Sequence, residues 1–309
     1  MILVFGSINL DLVARVPRLP RPGETLAGEH FSAQPGGKGA NQALAAQRAG
    51  GRVAMAGAVG NDAFATTALA SLAAGGVDLA LVRHVPAATG VALIHVDDSG
   101  ENSITVIAGA NAHADADDVP AALLRTGNTV LLQLEVPLPA VCTLARRAHE
   151  AGARVILNAA PANTLPPDIF EALDVLVVNE LEADVIATTL GVPTLPEAFA
   201  AGVHRRFGFA VVVTLGAQGA LAVAGGEWLR VPAPAVDVRD TTGAGDAFTG
   251  ALAVALDRGD RWPQALAEGV AAGSLACTGE GAQAALPVAA AIHCFAENVQ
   301  PQLVSSPLR

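Results

Sequence analysis

The chain has 309 residues, of which 52% are hydrophobic and 15% are charged, a composition that is typical of a globular protein and excludes a largely disordered one. Its formal net charge is -11 at pH 7 and the sequence contains no basic cluster, so we expect no binding to nucleic acid or to an anionic membrane surface. The cysteines, Cys142, Cys277 and Cys294, form no CxxC pair, which favours a reducing compartment, the cytoplasm.

The first predicted element is a short buried strand over residues 1–5, and Gly6 and Ser7 end it. Asn9 and Asp11 follow on an extended segment, where alternate residues point to the same side. A carboxylate and an amide that converge in this way suit the recognition of sugar hydroxyl groups. A simple Asx-type turn is the alternative interpretation.

Two segments, residues 11–35 and 90–109, differ from the rest of the chain because they combine short alternating stretches with turn residues. Strands are predicted in them at the following positions: 12–16, 25–29, 91–96 and 103–107. In the second segment, Asp97-Asp98-Ser99-Gly100 lies between two strands and indicates a hairpin. The two β segments predict a small sheet outside the main fold.

The remaining residues, 1–10, 36–89 and 110–309, alternate between helical and strand-like stretches and are predicted to form one core. Helices are expected over 40–49, 63–74 and 139–151, and near-continuous apolar strands over 129–134, 154–157, 175–178 and 210–214. Such strands with helices between them predict an α/β fold with a doubly wound, mainly parallel sheet and helices on both faces. Ligands bind such sheets at the carboxyl ends of the strands.

A glycine-rich segment, Gly36-Gly37-Lys38-Gly39-Ala40-Asn41, opens the helix predicted over 40–49. Its bare backbone allows a polyhydroxylated ligand to approach closely. Asn41 adds two donors and an acceptor from the helix itself. An ordinary helix-opening loop remains the alternative.

Polar residues also follow three later predicted strands. Glu135 comes after the strand over 129–134, where it would lie at the binding edge of the sheet or simply be solvated. Asn179 and Glu182 are three residues apart and would share one helical face, an arrangement that suits a magnesium ion with bound water. A glycine-spaced turn after the next strand suits a nucleotide: Thr214, Gly216 and Gly219.

The strongest chemical signal is Asp240-Thr241-Thr242-Gly243-Ala244-Gly245-Asp246, which precedes a helical run over 251–257. Gly243 and Gly245 permit a tight turn, and free N–H groups at a helix start form an anion hole. Asp246 in the first helical turn can accept the proton of an attacking hydroxyl group. A plain helix cap is the alternative. The segment is neither a GxGxxG fingerprint, because residue 248 is Phe, nor a Walker A loop.

In this order, the motifs resemble the PfkB-type carbohydrate kinase family over nearly the whole chain, from Gly6-Ser7-Ile8-Asn9 to Gly281-Ala282-Gln283. The resemblance implies a doubly wound core and a β-sheet lid, formed by 11–35 and 90–109, that closes over a sugar and pairs with a partner subunit in a homodimer. It also implies ATP-dependent phosphorylation of a sugar, and it favours the subgroup that acts on the terminal hydroxymethyl group of D-ribose.

The resemblance further implies a role for individual residues. The sugar would be held by Asn9, Asp11, Gly37, Lys38, Gly39, Asn41 and Glu135. Asp246 would be the base, and after the turn at Gly243 the backbone N–H groups of Ala244, Gly245 and Asp246 would stabilise the transferring phosphoryl group. ATP would be bound by Asn179, Glu182, Thr214, Gly216, Gly219 and Gly245, with Glu182 holding magnesium through water.

A potassium ion is also implied beside the anion hole. Its ligands would be largely backbone carbonyl oxygens at Asp240, Thr242, Ala276, Gly279, Gly281 and Ala285. Two positions depart from the family pattern, since Ala285 often is serine there and Gly279 replaces a larger residue. Val270 likewise stands where an asparagine or histidine is expected close to adenine.

Three functions remain open at this point: a kinase of D-ribose, another sugar or nucleoside kinase of the same family (for deoxyribose, fructose or pseudouridine), or a non-catalytic regulator that binds sugar or nucleotide. A nucleoside kinase would need an aromatic platform for the base, and the two lid segments contain only Phe31. The intact Asp246 with Gly243-Ala244-Gly245 argues against a regulator.

Overall fold

The computed structural model describes residues 1–304, and residues 305–309 of the predicted core lie outside this part. The strands, in chain order, are β1 (Ile2–Phe5), β2 (Asn9–Arg15), β3 (His30–Gly36), β4 (Val53–Gly60), β5 (Asp78–Val85), β6 (Gly90–Val96), β7 (Asn102–Ile107), β8 (Thr129–Leu132), β9 (Arg154–Asn158), β10 (Val175–Asn179), β11 (Ala210–Thr214), β12 (Ala220–Ala224), β13 (Glu227–Val231) and β14 (Gln302–Leu303). The α-helices are α1 (Lys38–Arg48), α2 (Ala63–Gly75), α3 (Leu138–Glu150), α4 (Glu180–Leu190), α5 (Pro196–Phe207), α6 (Ala244–Arg258), α7 (Trp262–Ala276) and α8 (Ala289–Ala296).

Ten strands form the main sheet, in the order β14-β13-β12-β11-β10-β9-β8-β1-β4-β5. All pairs from β11 to β5 are parallel, whereas β12, β13 and β14 add to the edge in antiparallel pairs. The chain winds outward from β1 in both directions, so β1 lies at a topological switch point, where α/β sheets bind ligands. The predicted doubly wound, mainly parallel sheet is confirmed.

Successive residues of the central strands alternate between two apolar layers. On β1, Ile2 and Val4 pack with residues of α1, α2, α6, α7 and α8 on one face, and Leu3 and Phe5 pack with α3, α4 and α5 on the other. A strand that is covered on both faces must be apolar at every position, which explains the continuous apolar runs in the sequence. Within residues 1–304, no helix combines the length and hydrophobicity that a membrane span requires.

A second, separate sheet has the order β3-β2-β6-β7. The β2–β3 and β6–β7 pairs are antiparallel and the β2–β6 pair is parallel. The predicted hairpin between β6 and β7 is confirmed, with Asp97 Oδ1 accepting hydrogen bonds from the backbone N–H and hydroxyl of Ser99 at 2.9 and 2.6 Å.

The strand predicted over residues 25–29 is wrong, because the chain pairs with β2 only along β3. An ion pair between Arg18 and Glu24 and a turn from Arg21 to Glu24 hold the proline-rich connection first. The chain then rejoins β2 where the N–H of Glu29 donates to the carbonyl of Arg15 at 2.9 Å. The strand that forms instead, β3, contains Pro35, which is tolerated because β3 lies at the edge of its sheet.

Asp62 joins the two sheets. Its carboxylate caps α2 by accepting from the N–H of Ala65 at 3.0 Å, and it also accepts from the N–H of Thr89 at 2.8 Å and from its hydroxyl at 2.7 Å. Since Thr89 immediately precedes β6, this side chain helps to hold the start of the second sheet against the core.

Candidate active site

Charged side chains from separate parts of the chain converge beyond the carboxyl ends of the central strands. Burial, together with the charges of Glu135 and Asp246, raises the pKa of Asp11 to about 6. Burial acts to lower the pKa of Lys38, but the negative charges of Asp246, Glu135 and Glu182 outweigh it and raise that pKa. The site therefore sets one ammonium group against several carboxylates.

Asp246 lies in the first turn of α6 and is only 6% exposed. Its Oδ2 accepts from Asn41 Nδ2 at 3.0 Å and its Oδ1 accepts from Gln42 Nε2 at 2.9 Å. Burial raises the pKa of Asp246, although Lys38 and the two amide donors oppose this rise. A carboxylate with a raised pKa that lines a cavity can accept a proton from a hydroxyl group there.

The turn before α6 depends on Gly243, whose φ of 78° is left-handed. A Cβ atom at this position would lie 2.9 Å from the carbonyl oxygen of Ala282. The N–H of Ala244 donates to the carbonyl of Thr241 at 3.2 Å. Within residues 1–304, the N–H groups of Gly245 and Asp246 meet no acceptor, so two of the three predicted donors are free to bind an anion.

The residues predicted to bind a sugar lie together beside Asp246. Glu135 Oε2 accepts from Ser7 Oγ at 2.6 Å and from the backbone N–H of Lys38 at 3.0 Å. Asn9 Oδ1 accepts from Asn111 Nδ2 at 2.7 Å. Two positions of this segment require glycine for steric reasons. Gly37 has a left-handed φ of 89°, and a Cβ atom on Gly39 would lie 2.6 Å from the backbone nitrogen of Ser7.

Two adjoining cavities extend from this cluster. The larger, of about 490 Å³, has a mainly apolar wall that includes Val238, Phe248 and Val270, and it also contains the predicted nucleotide residues Thr214, Gly216, Gly219 and Gly245. The smaller, of about 230 Å³, is polar and is lined by Lys38, Asn179, Glu182 and Asp246 among others. Both share Thr214, Thr241 and Gly245. Together they suit a ligand with an apolar ring at one end and an anionic group near Asp246.

Asn179 and Glu182 form a capping box at the start of α4. Asn179 N–H donates to Glu182 Oε2, and Glu182 N–H donates to Asn179 Oδ1, both at 2.8 Å. Burial raises the pKa of Glu182. The described residues contain no group of three His, Cys, Asp or Glu that would hold a metal ion directly. One carboxylate beside a polar cavity nevertheless fits magnesium, which keeps several waters when it binds phosphates.

The residues predicted to surround a potassium ion also adjoin one another. Asp240 Oδ1 accepts from the N–H and hydroxyl of Thr242 at 2.9 and 2.6 Å, and its Oδ2 accepts from the N–H of Gly281 at 2.9 Å. Although burial acts to raise it, these hydrogen bonds hold the pKa of Asp240 below its usual value. Gly279 and Ala285, the two residues that depart from the family pattern, are in contact, because a Cβ atom on Gly279 would lie 2.8 Å from the Cβ of Ala285. Backbone carbonyl oxygens of these loops, beside an ionised carboxylate, are the kind of group that binds a monovalent cation.

Several buried polar residues of the site were not predicted as site residues: Ser7, Gln42, Asn111, Gln133, Asn158 and Gln283. Four of them, Ser7, Gln42, Gln133 and Gln283, lie inside or beside the motifs that drew attention to their neighbours. Asn158 ends β9, and polar residues at strand ends are a usable signal. Asn111 follows no strand and belongs to no motif, so the sequence carried no signal for it.

Comparison with known proteins agrees with this geometry. The pfkB family carbohydrate kinase profile matches residues 1–289. A ribokinase of Haemophilus influenzae is 36% identical over 288 residues, which cover 92% of this chain and 94% of the relative. A deoxyribokinase of Salmonella typhi is 35% identical over 293 residues, which cover 93% of this chain and 95% of the relative. The solved structure of an Arabidopsis thaliana ribokinase complexed with ribose and ATP aligns with a TM-score of 0.87 at 32% identity, covering 96% of this chain and 98% of that one.

The raised pKa of Asp11 predicts a stability gain on neutralisation. A carboxyl group with a folded-state pKa of about 6 and an unfolded value of about 3.9 destabilises the ligand-free protein progressively as the pH rises between those values. Asp11→Asn should therefore raise the free energy of unfolding by about 1–2 kcal/mol at pH 8 and by almost nothing at pH 4. Urea denaturation at both pH values measures the difference.

The matched control is Asp184→Asn, which alters an exposed carboxylate on α4 and should give no pH-dependent gain. An Asp11→Asn gain of equal size at both pH values would contradict an electrostatic origin.

Proposed function

The chain belongs to the pfkB family of carbohydrate kinases, and from this premise we propose that it transfers the γ-phosphoryl group of ATP to the terminal hydroxymethyl group of D-ribose, giving ribose 5-phosphate. The observation that carries the proposal is the position of Asp246, which is buried between two amide donors at the start of α6 and lines the polar cavity. The names of the Haemophilus influenzae and Arabidopsis thaliana relatives support ribose as the acceptor.

In the proposed reaction, Asp246 is the catalytic base. As the sugar oxygen forms its bond to the γ-phosphorus, the bond from that phosphorus to the bridging oxygen of ADP breaks, and the hydroxyl proton ends on the Asp246 carboxylate. The free N–H groups of Gly245 and Asp246 would donate to the transferring phosphoryl oxygens. Ala244 would add a third donor only if its N–H left the carbonyl of Thr241, to which it donates at 3.2 Å.

The two cavities support a placement for ATP. The adenine would occupy the larger one against Phe248 and Val270, where shape and apolar contact replace a polar base contact. The phosphates would then pass Gly216 and Gly219 toward Gly245. Asn179 and Glu182 would hold a magnesium ion through water, and the ion when bound would neutralise phosphate charge.

The sugar side supports an acceptor with several hydroxyl groups. Asp11 and Glu135 are acceptor groups, Lys38 is a donor, and Asn9 and Asn41 offer both functions. The Salmonella typhi relative is named deoxyribokinase at nearly the same identity, so deoxyribose is the second candidate. A buried carboxylate that loses a hydroxyl partner is left unpaired, and this penalty favours the sugar with the complete set of hydroxyls.

The substrate and the base can be tested together. In a coupled ADP-release assay over ribose, deoxyribose, fructose, adenosine and pseudouridine, ribose should give the highest kcat/KM. Asp246→Asn should lower kcat on ribose by roughly 10²–10⁴-fold, the usual contribution of a general base. Its affinity for ATP, measured by calorimetry, should change little.

Asp184→Asn, on the exposed face of α4, serves as the matched control and should retain wild-type kcat. Highest activity on another sugar would retain the mechanism and replace the substrate. A fully active Asp246→Asn variant would contradict the role of the base, and ATP binding without turnover on any acceptor would favour a regulator.

We also propose that potassium activates the enzyme from the two adjoining loops that contain Asp240, before α6, and Gly281, after α7. A fixed positive charge there would lie beside the turn at Gly243 and favour an anion at the start of α6. Replacing choline chloride by potassium chloride at constant ionic strength should raise kcat several-fold. Asp240→Asn should weaken this response, and an equal rate in both salts for the native protein would contradict the proposal.

A homodimer formed through the second sheet is the proposed assembly. Five of its large apolar side chains are at least 37% exposed: Phe31, Leu93, Ile104, Val106 and Ile107. By the strand register, Ile104 and Val106 share one face of the sheet, whereas Phe31, Leu93 and Ile107 share the other. Exposed apolar side chains such as Ile104 and Val106 are typical of a protein interface. Sedimentation should give a dimer for the native chain and a monomer for Ile104→Glu/Val106→Glu. Leu181→Glu, at a more exposed site on α4, should remain dimeric, and a native monomer would contradict the proposal.

The thiols support a cytoplasmic location. Cys142 and Cys277 are partly buried, Cys294 is exposed, and all three are free. Free thiols persist in a reducing compartment, where ATP is also available.

A further inference from the structure

Asp246 is the end point of two chains of buried amides. In one chain, Gln283 Nε2 donates to Asn41 Oδ1 at 3.1 Å, and Asn41 Nδ2 donates to Asp246 Oδ2 at 3.0 Å. In the other, Gln133 Nε2 donates to Gln42 Oε1 at 2.7 Å, and Gln42 Nε2 donates to Asp246 Oδ1 at 2.9 Å. The four amide residues are at most 6% exposed.

The direction of both chains follows from the chemistry of their end point. An ionised carboxylate only accepts hydrogen bonds, so Asn41 and Gln42 must turn their NH2 groups toward Asp246. Their carbonyl oxygens then face away and need a donor, which Gln283 and Gln133 supply. This direction leaves the side-chain carbonyl oxygen of each outer glutamine without a hydrogen-bond donor.

The described part of the structure contains two unpaired side-chain carbonyl oxygens, one at the outer end of each amide chain. Within residues 1–304, the buried side-chain polar atoms without a hydrogen-bond partner are Gln133 Oε1 and Gln283 Oε1. Burying an acceptor without a partner costs free energy, whereas apolar side chains of the same shape would avoid the cost. Leucine or methionine at either position would instead leave the buried oxygen of Asn41 or Gln42 without a donor. Each glutamine is therefore explained by the amide that it supports, and through that amide by Asp246.

Further contacts hold the two chains in place. The second proton of the Gln42 amide is donated to Asn158 Oδ1 at 2.9 Å, and Asn158 Nδ2 donates to the carbonyl of Val177 at 3.2 Å. Arg48, on the same helix as Asn41 and Gln42, donates to the carbonyl of Gln283 at 2.9 Å. Both outer glutamines thus have fixed positions relative to α1.

We propose that Gln133 and Gln283 are positioning residues for the base, with Gln133 acting through Gln42 and Gln283 acting through Asn41. The inference rests on the proposed role of Asp246. Two donors fixed to different oxygens prevent the carboxylate from rotating and keep its remaining lone pairs directed into the polar cavity. They also stabilise its ionised form, which burial disfavours.

Other charges act on the same carboxylate and are left unchanged by substitution of the glutamines. Lys38 at the start of α1 favours the ionised form, whereas Glu135 after β8 opposes it. Asp11 on β2 and Glu182 on α4 also interact with the charge of Asp246. Substitution of a glutamine removes a donor to Asn41 or Gln42 and alters none of these charges. A change in the pH dependence of the variant would therefore report the altered amide chain.

The test uses Gln133→Met and Gln283→Met, which remove the amide and keep the side-chain length. Each should lower kcat on the best sugar acceptor by roughly 3- to 10-fold, the effect of one lost hydrogen bond, with KM for ATP unchanged. The acid limb of the pH profile of kcat/KM should move to higher pH by about 0.5 unit, because the ionised base has lost stabilisation.

A double-mutant cycle tests the route of the effect. In a Gln42→Met background, Gln133→Met should lower kcat little further, since its connection to Asp246 is already broken. Gln283→Met should remain effective in that background, because it acts through Asn41. Full additivity of Gln133→Met and Gln42→Met would overturn the proposed route.

Gln47→Met is the matched control, because Gln47 is an amide on α1 that accepts from the backbone N–H of Val53 and lies outside both chains. It should leave kcat and the pH profile at native values. If Gln133→Met or Gln283→Met does not fold, Gln133→Glu or Gln283→Glu retains the shape and polarity, and as a carboxylate it should lose at least as much kcat at pH 8.

Asp246→Asn in the same assay distinguishes failure of the proposed base from failure of the positioning role of the two glutamines. If Asp246→Asn is inactive while both glutamine variants match the native kcat and pH profile, the positioning role is overturned and the proposed base remains. If Asp246→Asn is fully active, the proposed base fails, and the positioning role fails with it.

Discussion

The carboxylate of Asp246 is almost completely withdrawn from water, and a charge in that position needs donors and a counter-charge close by. Helix α6 offers the positive end of its dipole, Lys38 offers an ammonium group, and Asn41 and Gln42 each donate to one oxygen. All three of these side chains come from α1. The position of α1 against α6 is therefore the constraint on which the geometry of the site depends.

Small residues make that contact possible. A Cβ atom on Gly250 of α6 would lie 2.6 Å from the Cβ of Ala45 and 2.8 Å from the backbone nitrogen of Ala46 on α1. A bulkier pair would separate the helices and stretch the hydrogen bond from Asn41 to Asp246. The abundance of alanine and glycine thus has a functional consequence at this contact, since the helices must approach closely for the amides of one to reach the carboxylate of the other.

The sequence was sufficient for the fold because the interior positions of each central strand are apolar. It predicted Asp246, Asn41 and Glu135 as site residues because they stand at strand ends or helix starts. The strand over 25–29 was wrong because the alternation there is short, and the chain returns to β2 only at Glu29, so that β3 begins at His30. The amide chains could not be predicted, since Gln283 and Asn41 are 242 residues apart and a glutamine in a motif does not reveal its partner. The same limit applies to Asn111.

The charge balance of the site explains why backbone groups would have to hold the phosphates. Asp11, Glu135, Glu182 and Asp246 face one ammonium group, on Lys38. Among the described residues that line the two cavities, Lys38 is the sole Lys or Arg. A triphosphate would add negative charge to this surplus, so its binding depends on neutral N–H donors, the helix dipole and bound cations. A neutral sugar meets no such repulsion, and its hydroxyl groups can donate to carboxylates such as Asp11 and Glu135.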